Sequence, residues 1–562
     1  MKKPISLLFL FSCLFLAHPS IYAQIGVFRA PTTAAPNLAN SPFANWGTYV
    51  GDSAGFNMNF GFHSTLMGHG AGFSLVSDGD NTLIGSFANY LGTKGIDNVI
   101  IGARAGYRNI ASDVVMVGNM AGHNHTTGND VVFIGEDAGY YNTTGTDNVF
   151  VGEDAGYNNI SGGDNTFIGN TAGRQNTTGY RNTAIGNEAL FDLGGNNNTD
   201  AHHNTAVGDS SGTDNGEGIW NTYVGAASGA ANEFGICNTF LGGRAGFDNN
   251  RTNARSGAGS FNTFVGFKTG ESNREGRDNV GMGARANTLG FTTTSQIRNR
   301  TTFIGSRALV YADDVVAIGY EVDARKQYGI AIGTEANSDG LNAIAIGYQT
   351  SVTADNEVRI GNSAMANIGG VVNWTATSDG RMKSALKENV PGLDFITQLR
   401  PLTYQMDMEK EYELRGEEVP EGLVEGIHTK KGIRYSGFVA QEVEEVAKSV
   451  GYDFSGVKVP DDPDEELYGL RYAEFVVPLV KAVQELNEKI EKQDQILAHQ
   501  AAQIQEYQRL MAQQKELSPE EKIKAYEEQL GQYAKMFEVM NARLHQLEAQ
   551  QNKQFLVSTE DD

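Results

Sequence analysis

Between Gly51 and Gly361 the chain closes nineteen short apolar runs with a glycine, and most intervals between those glycines have one of two lengths. Gly51, Gly68, Gly85 and Gly102 are 17 residues apart, and after one 16-residue step the interval resumes through Gly118, Gly135, Gly152, Gly169 and Gly186. Inserts stretch the steps to Gly208, Gly266 and Gly305 to 22 or 24 residues, after which Gly305, Gly319, Gly333, Gly347 and Gly361 recur every 14. A unit this short cannot bury a core alone, so it is one coil of a solenoid and not a domain. The expected fold is mostly β, a parallel β-roll or solenoid of 17- and 14-residue repeats over residues 45–370.

The repeat carries strand chemistry bounded by turn chemistry. In Asp147-Asn148-Val149-Phe150-Val151-Gly152 and Asp164-Asn165-Thr166-Phe167-Ile168-Gly169, polar turn-formers precede β-branched and aromatic residues. A second small-residue signal follows each glycine, as at Ala138-Gly139, Ala155-Gly156 and Ala172-Gly173. Each coil is therefore expected to make two short strands and two turns. Stacking at about 4.8 Å gives a rod on the order of 85 Å. Asn148, Asn165, Asn182, Asn204, Asn221, Asn238 and Asn262 would then lie in a ladder of side-chain amides. The small Ala and Thr residues that alternate with Ile, Val and Phe predict a thin coil, and a thin rod gains from associating with others. The alternative is a monomeric solenoid.

Composition excludes some partners. With 43 Lys and Arg against 67 Asp and Glu, the formal charge is −24, which repels nucleic acid and anionic membrane surfaces. Lys2 and Lys3, the apolar run Leu7 to Leu16 and Ala23 read as a signal peptide over 1–23, cleaved before Gln24, so an exported, extracellular or cell-surface location is expected. A lipoprotein reading of Cys13 is weaker, because the apolar run continues past it. Cys237 takes a repeat position held elsewhere by Asp, Arg, Trp or Phe, and one mature thiol makes no internal disulfide. No later stretch is long and apolar enough to be a transmembrane segment. Residues 24–44, with Pro31, Pro36 and Pro42, are a linker or attachment segment.

Val316-Ala317-Ile318-Gly319, Ile330-Ala331-Ile332-Gly333 and Ile344-Ala345-Ile346-Gly347 resemble the head repeats of trimeric bacterial surface adhesins, whose heads are parallel β-rolls joined as trimers. The resemblance is close over 310–361 and looser over 45–309. It implies a homotrimer.

Near residue 371 the glycine period stops. Thr377-Ser378-Asp379-Gly380-Arg381-Met382-Lys383 is followed by Leu399-Arg400-Pro401-Leu402-Thr403-Tyr404, then Gly437-Phe438-Val439-Ala440-Gln441-Glu442-Val443, then Tyr472 to Leu486. In that order and spacing these blocks resemble the intramolecular chaperone domain of endosialidases and phage tail spikes, peptidase family S74. The resemblance covers about 377–490, within a small α+β unit expected at 371–490. It implies a domain that trimerises, guides the folding of a β-rich fibre and then cuts itself off. It also implies a catalytic dyad of Ser378 and Lys383, with the cut at Ser378–Asp379. A serine hydroxyl needs a base, and a lysine serves as one only where burial or a like charge lowers its pKa. Arg381 is a candidate for that charge. The competing reading leaves Ser378 and Lys383 as solvated loop residues.

From Leu479 the spacing becomes heptad, with Val483, Leu486, Ile490, Leu497, Ile504, Tyr507 and Met511 on one seam and Gln493 and Gln500 inside it. A coiled coil is expected over 479–551, ahead of an acidic tail at 552–562. Ser518-Pro519-Glu520-Glu521 starts a second helix with an N-cap, a first-turn proline and a capping-box glutamate. Ile523, Tyr526, Leu530, Tyr533, Phe537, Met540, Leu544 and Leu547 continue a seam of their own, and a hairpin within one chain is the alternative.

Two function classes follow. One is a surface fibre that contacts a glycan or cell-surface receptor through its turns and inserts, with Asn196, Asn197, Asn198, His202 and His203 in the 187–203 loop and the 247–260 loop as contact sites. The other is a fibre-borne glycan-degrading enzyme. For it, Glu136-Asp137 and Glu153-Asp154 fall about 5 Å apart in successive coils, near the spacing of a retaining pair. A solvated acidic stripe or a cation site fits the same residues. An uncleaved structural fibre is a further alternative. No metal site or cofactor is expected.

Overall fold

The computed structural model describes residues 47–58, 60–194, 201–250, 257–288, 297–414, 416, 418–460, 462, 467–516 and 518–557. The leader at 1–23, the 24–44 segment, Asn196 to Asn198 and the end of the acidic tail lie outside them. The chain divides into two compact units, Met1–Ile368 and Gly369–Asp562.

The first unit is a parallel β-solenoid. Nineteen strands, from Thr48–Val50 to Val358–Ile360, form one parallel sheet in which each coil pairs with the next. Register is kept without slip: Val149 faces Thr166, which faces Thr183, and Phe150 faces Phe167, which faces Ala184. As the two-residue strand period requires, the central residue of each three-residue strand in this sheet points inward and its neighbours outward, except in the last strand, where Arg359 is half-exposed. In the 17-residue coils the inward column carries Leu66, Leu83, Ile100 and Met116, and then Phe133, Phe150 and Phe167 stacked 5.0 Å apart. In the 14-residue coils it narrows to Ala317, Ala331 and Ala345, all fully buried.

One expectation changes here. A second sheet exists along the 14-residue coils, five strands from Asn287–Thr288 to Ser351–Val352. Most 17-residue coils have none. Their post-glycine segments carry two left-handed residues each, such as Asp137 (φ 56°) with Gly139 (φ 63°) and Asp154 (φ 55°) with Gly156 (φ 59°), which is turn backbone and cannot pair as a strand.

The glycine period has a steric cause. Each strand-closing glycine has strongly positive φ, 136° at Gly152, and a Cβ there would collide with the carbonyl oxygen of Gly169 in the next coil. Gly152→Ala is therefore expected to cost about 3 kcal/mol, through backbone strain and displaced stacking. Amide hydrogen exchange should show lost protection confined to the flanking coils, because a solenoid opens locally.

The predicted asparagine ladder is present, in a mixed form. The backbone N–H of Asn165 donates to Oδ1 of Asn148 at 3.0 Å, Asn182 to Asn165 at 3.0 Å and Asn204 to Asn182 at 3.0 Å, while each side-chain amide also donates to a carbonyl in the turn. A second ladder lies in the other turn. Asn159 Nδ2 donates to Asn142 Oδ1 at 2.6 Å and Asn176 Nδ2 to Asn159 Oδ1 at 2.6 Å. His125 fills one rung: its Nε2 donates to the Gly128 carbonyl at 2.6 Å and its Nδ1 accepts from Asn142 at 2.7 Å.

Burial lowers His125 to about 4, against the raising effect of those hydrogen bonds. The unfolded chain takes up this proton near pH 6.5, the folded chain only near 4. Stability is accordingly lost as pH falls through that window, by about 3 kcal/mol in full. His125→Asn supplies the rung used by neighbouring coils. The variant should melt like the parent at pH 7 and higher than the parent at about pH 4.5.

The second unit contains, among the described residues, six α-helices: α1 (Leu393–Ile396), α2 (Glu409–Leu414), α3 (Val424–Lys431), α4 (Ala440–Ser449), α5 (Val476–Glu516) and α6 (Pro519–Val557). Leu402–Gln405 pairs antiparallel with Arg434–Gly437, and Val457–Lys458 with Gly469–Leu470. Phe395, Leu399, Val443, Ala447, Phe454 and Phe475 form its core. Glu485 on α5 accepts the N–H of Leu393 at 2.7 Å, tying the start of α1 to the long helix. The break between α5 and α6 is the expected capping box: Glu521 accepts from the Ser518 N–H at 3.0 Å and from its hydroxyl at 2.7 Å.

Candidate functional site

Residues 371–378 are exposed, and the backbone first turns at Asp379, the N-cap of a short 3-10 helix, Gly380–Met382. The Asp379 carboxylate accepts the Arg381 N–H at 2.9 Å and pairs with the Arg381 guanidinium at 2.6 Å. Hydrogen bonds from the Arg381 side chain, then its backbone, hold the Asp379 carboxyl below the usual carboxylate range. This turn reverses the chain so that Lys383, five residues on, donates from Nζ to the Ser378 hydroxyl at 2.8 Å. Ser378 and Lys383 thus meet, in hydrogen-bond reach, as a serine–lysine pair needs.

Arg381 does not act as the free like charge the sequence suggested. Its charge is offset by Asp379, and both Ser378 and Lys383 are exposed in the single chain. The geometry of the pair is local, and burial of the lysine is not a property of this segment by itself.

The later blocks converge on one core. Phe438 stacks on Phe475 at 5.3 Å, and the Tyr472 hydroxyl accepts the Phe438 N–H at 3.2 Å. Arg400 pairs with Glu442. Gly437 is required beneath Tyr472, whose hydroxyl occupies the place of a Cβ. Segments 34 to 42 residues apart in sequence therefore form a single packed unit, with the 437–443 block in a structural role.

Residues 378–452 match the family model of the chaperone of endosialidase. The matched stretch begins at Ser378 itself and includes Lys383. No curated protein matches the chain. Among solved structures, the crystal structure of the collagen-binding domain of the Yersinia adhesin YadA is similar at 16% identity, covering 39% of this chain and 77% of that one, with a TM-score of 0.17. A superposition that poor leaves the solenoid to be described from its own strand pairing.

Elsewhere, the four acids of the enzyme reading do share one corner of the solenoid. Burial, then the charges of Asp154, Glu136 and Glu153, raise Asp137. Asp154 is paired with Arg174 at 3.0 Å, while Glu136 and Glu153 accept from Asn119 and Asn170. Among the described residues no group of three or more His, Cys, Asp or Glu side chains is arranged to hold a metal ion. His202 and His203 lie against each other, Nδ1 to Nδ1 at 2.8 Å. The sequence reading missed Glu233, which burial and a hydrogen bond with Asp214 push up to about 8. No motif marks it, because Asp192, Asp214 and Glu233 come together only through coil stacking. No helix of the described residues is long and apolar enough to cross a membrane.

Proposed function

We propose that the chain is an exported homotrimeric fibre for surface contact, assembled under the direction of its C-terminal segment, which then releases itself at Ser378–Asp379. The observation that carries this reading is the outer face of the nineteen-stranded sheet. Its third strand position is aliphatic at every level, from Val50 and Met67 through Ile168, Ile185 and Leu241 to Ile346 and Ile360, and its first is always Thr, Val or Ile. A flat β-branched face of this length, open along a rod, is the kind of surface that a second and third copy would cover.

The helical seam supports the same partner. Leu486, Ile490, Leu497 and Ile504 of α5 leave 49%, 50%, 55% and 57% of their surface open in one chain. Side chains on a heptad seam are covered when helices pair, and the polar Gln493 and Gln500 fix register and strand number. Sedimentation equilibrium of the Ser378→Ala chain from residue 24, which is expected to stay whole, should give three times the monomer mass at micromolar concentration, and a monomer there would remove the reading.

In the self-cleavage step, Lys383 as a free amine takes the Ser378 hydroxyl proton. The deprotonated oxygen forms an ester with the carbonyl carbon of Ser378 as the C–N bond to Asp379 breaks, the leaving nitrogen takes the proton from Lys383, and water then hydrolyses the ester, restoring the hydroxyl and supplying the carboxylate oxygen. Attack by Oγ on the carbonyl of its own residue closes a strained four-membered ring. The same bond in an adjacent chain is reached without that strain, which ties cleavage to assembly.

A further inference from the structure

The turn before each strand presents one outward side chain from a left-handed residue, and the coils stack these residues into a column. Through the middle of the solenoid the column runs His203, Trp220, Cys237 and Phe261, with φ of 58°, 60°, 57° and 59°. Backbone bonds hold it in register even across the inserts: the N–H of Trp220 donates to His202 at 3.2 Å, Cys237 to Ile219 at 3.0 Å and Phe261 to Ile236 at 3.0 Å. The His203 and Trp220 rings stack at 4.0 Å and 17°. The next level is Cys237, exposed and ringless, and the level after it is Phe261. Trp220 is 55% exposed and Phe261 53%.

The protein's own aromatic columns give the ruler. Phe133, Phe150 and Phe167 occupy consecutive levels 5.0 Å apart, so ring centres two levels apart enclose the thickness of one six-membered ring with both of its stacking distances. Between Trp220 and Phe261 that middle ring is missing. Cys237 is thus a short side chain between two aromatic levels, with Arg181 below and Asp278 above continuing the column.

We propose that the open level between Trp220 and Phe261 binds one neutral pyranose residue of a glycan. The C–H bonds on a pyranose face carry partial positive charge and are attracted to the negative face of an aromatic ring, and here two such rings flank a single level. The net charge of −24 disfavours nucleotides and sulfated sugars, which leaves a neutral ring as the stacking partner. This site deepens the surface-contact reading of the fibre and rests on it for its biological sense, though it is complete within one chain.

The test uses the full chain and Cys237 as reporter. Alkylation by iodoacetamide is followed by peptide mass mapping, which separates Cys237 from Cys13, with lactose, cellotriose, chitotriose or N-acetyltryptophanamide as probe. At about 20 mM sugar a site of millimolar affinity is nearly full, and alkylation of Cys237 should slow roughly three-fold or more with at least one of the sugars. Trp220→Ala should remove the protection. Cys237→Phe supplies the missing ring on a backbone that already accepts Phe261 and Trp220, so it should keep the parent melting temperature and lose saturation transfer to the sugar protons. Protection by none of the three sugars, protection by the tryptophan amide alone, or undiminished saturation transfer in Cys237→Phe would each overturn the proposal. Sedimentation of the same samples keeps the two readings apart, since a trimer without sugar binding removes the site and leaves the fibre standing.

Discussion

Replacing Ser378 with alanine should leave the expressed chain in one piece, where the proposed self-cleavage would separate the parent into a fragment ending at Ser378 and one beginning at Asp379. Intact mass spectrometry of the secreted protein reads this directly. Lys383→Ala should give the same result, because a hydroxyl without its base loses about two to four orders of magnitude in nucleophilic reactivity. Lys383→Arg is the more demanding variant. Arginine keeps the positive charge beside Ser378 but does not give up its proton in a protein, so it retains the contact and abolishes the chemistry. If Lys383→Arg cleaved like the parent, the lysine would be a positioning charge and the assigned base would be wrong. Coexpression of the Ser378→Ala chain with the parent probes the direction of attack. A neighbour's hydroxyl can cut the variant's peptide bond on the N-terminal side of Asp379, whereas attack confined to one chain leaves every variant chain whole.

What could be read in advance was whatever repeats. The glycine period, the strand at each level and the first asparagine ladder were legible because stacking turns a linear period into a column, and a column imposes the same steric demand at every coil. The second ladder was not, since Asn142, Asn159 and Asn176 sit in turns where asparagine is expected for local reasons, and His125 breaks the pattern in sequence while keeping it in hydrogen bonding. The second strand was over-read in the 17-residue coils. Ala-Gly looked like a strand boundary, and the left-handed residue two places ahead of that glycine, such as Asp137, carries no residue type that declares it. The Ser378–Lys383 contact was legible only through resemblance, because a spacing of five residues brings the two together only after Asp379 and Arg381 have closed the turn between them. Within one chain Lys383 is exposed, so in the proposed trimer any burial of it would come from neighbouring chains and leave no local signal in the sequence.

Residues 24–378 expressed without the remainder should yield aggregates and mixed oligomers, while the full chain yields one homogeneous trimer. The reason is degeneracy along the sheet face. Shifting one rod against its neighbour by a single coil, about 4.8 Å, replaces Val149 and Val151 with Thr166 and Ile168 and loses one contact level in nineteen, so slipped assemblies lie close in energy to the correct one. Something outside the repeats must set the level once. The seam of α5 can do so because its heptads are interrupted by Gln493 and Gln500 at fixed places, and a slipped coil would bury those amides against Leu or Ile. Replacing Leu486, Ile490 and Leu497 together with serine, in a chain of unchanged length, removes about 2 kcal/mol of burial per side chain from each of three helices. It should reproduce the truncated phenotype in light scattering. The solenoid coils themselves should still form, since their ladders and aromatic columns are internal to one chain, so circular dichroism would report β structure while the mass distribution broadens. A homogeneous trimer from residues 24–378 alone would place the register in the repeats, and the C-terminal segment would then have no part in aligning them.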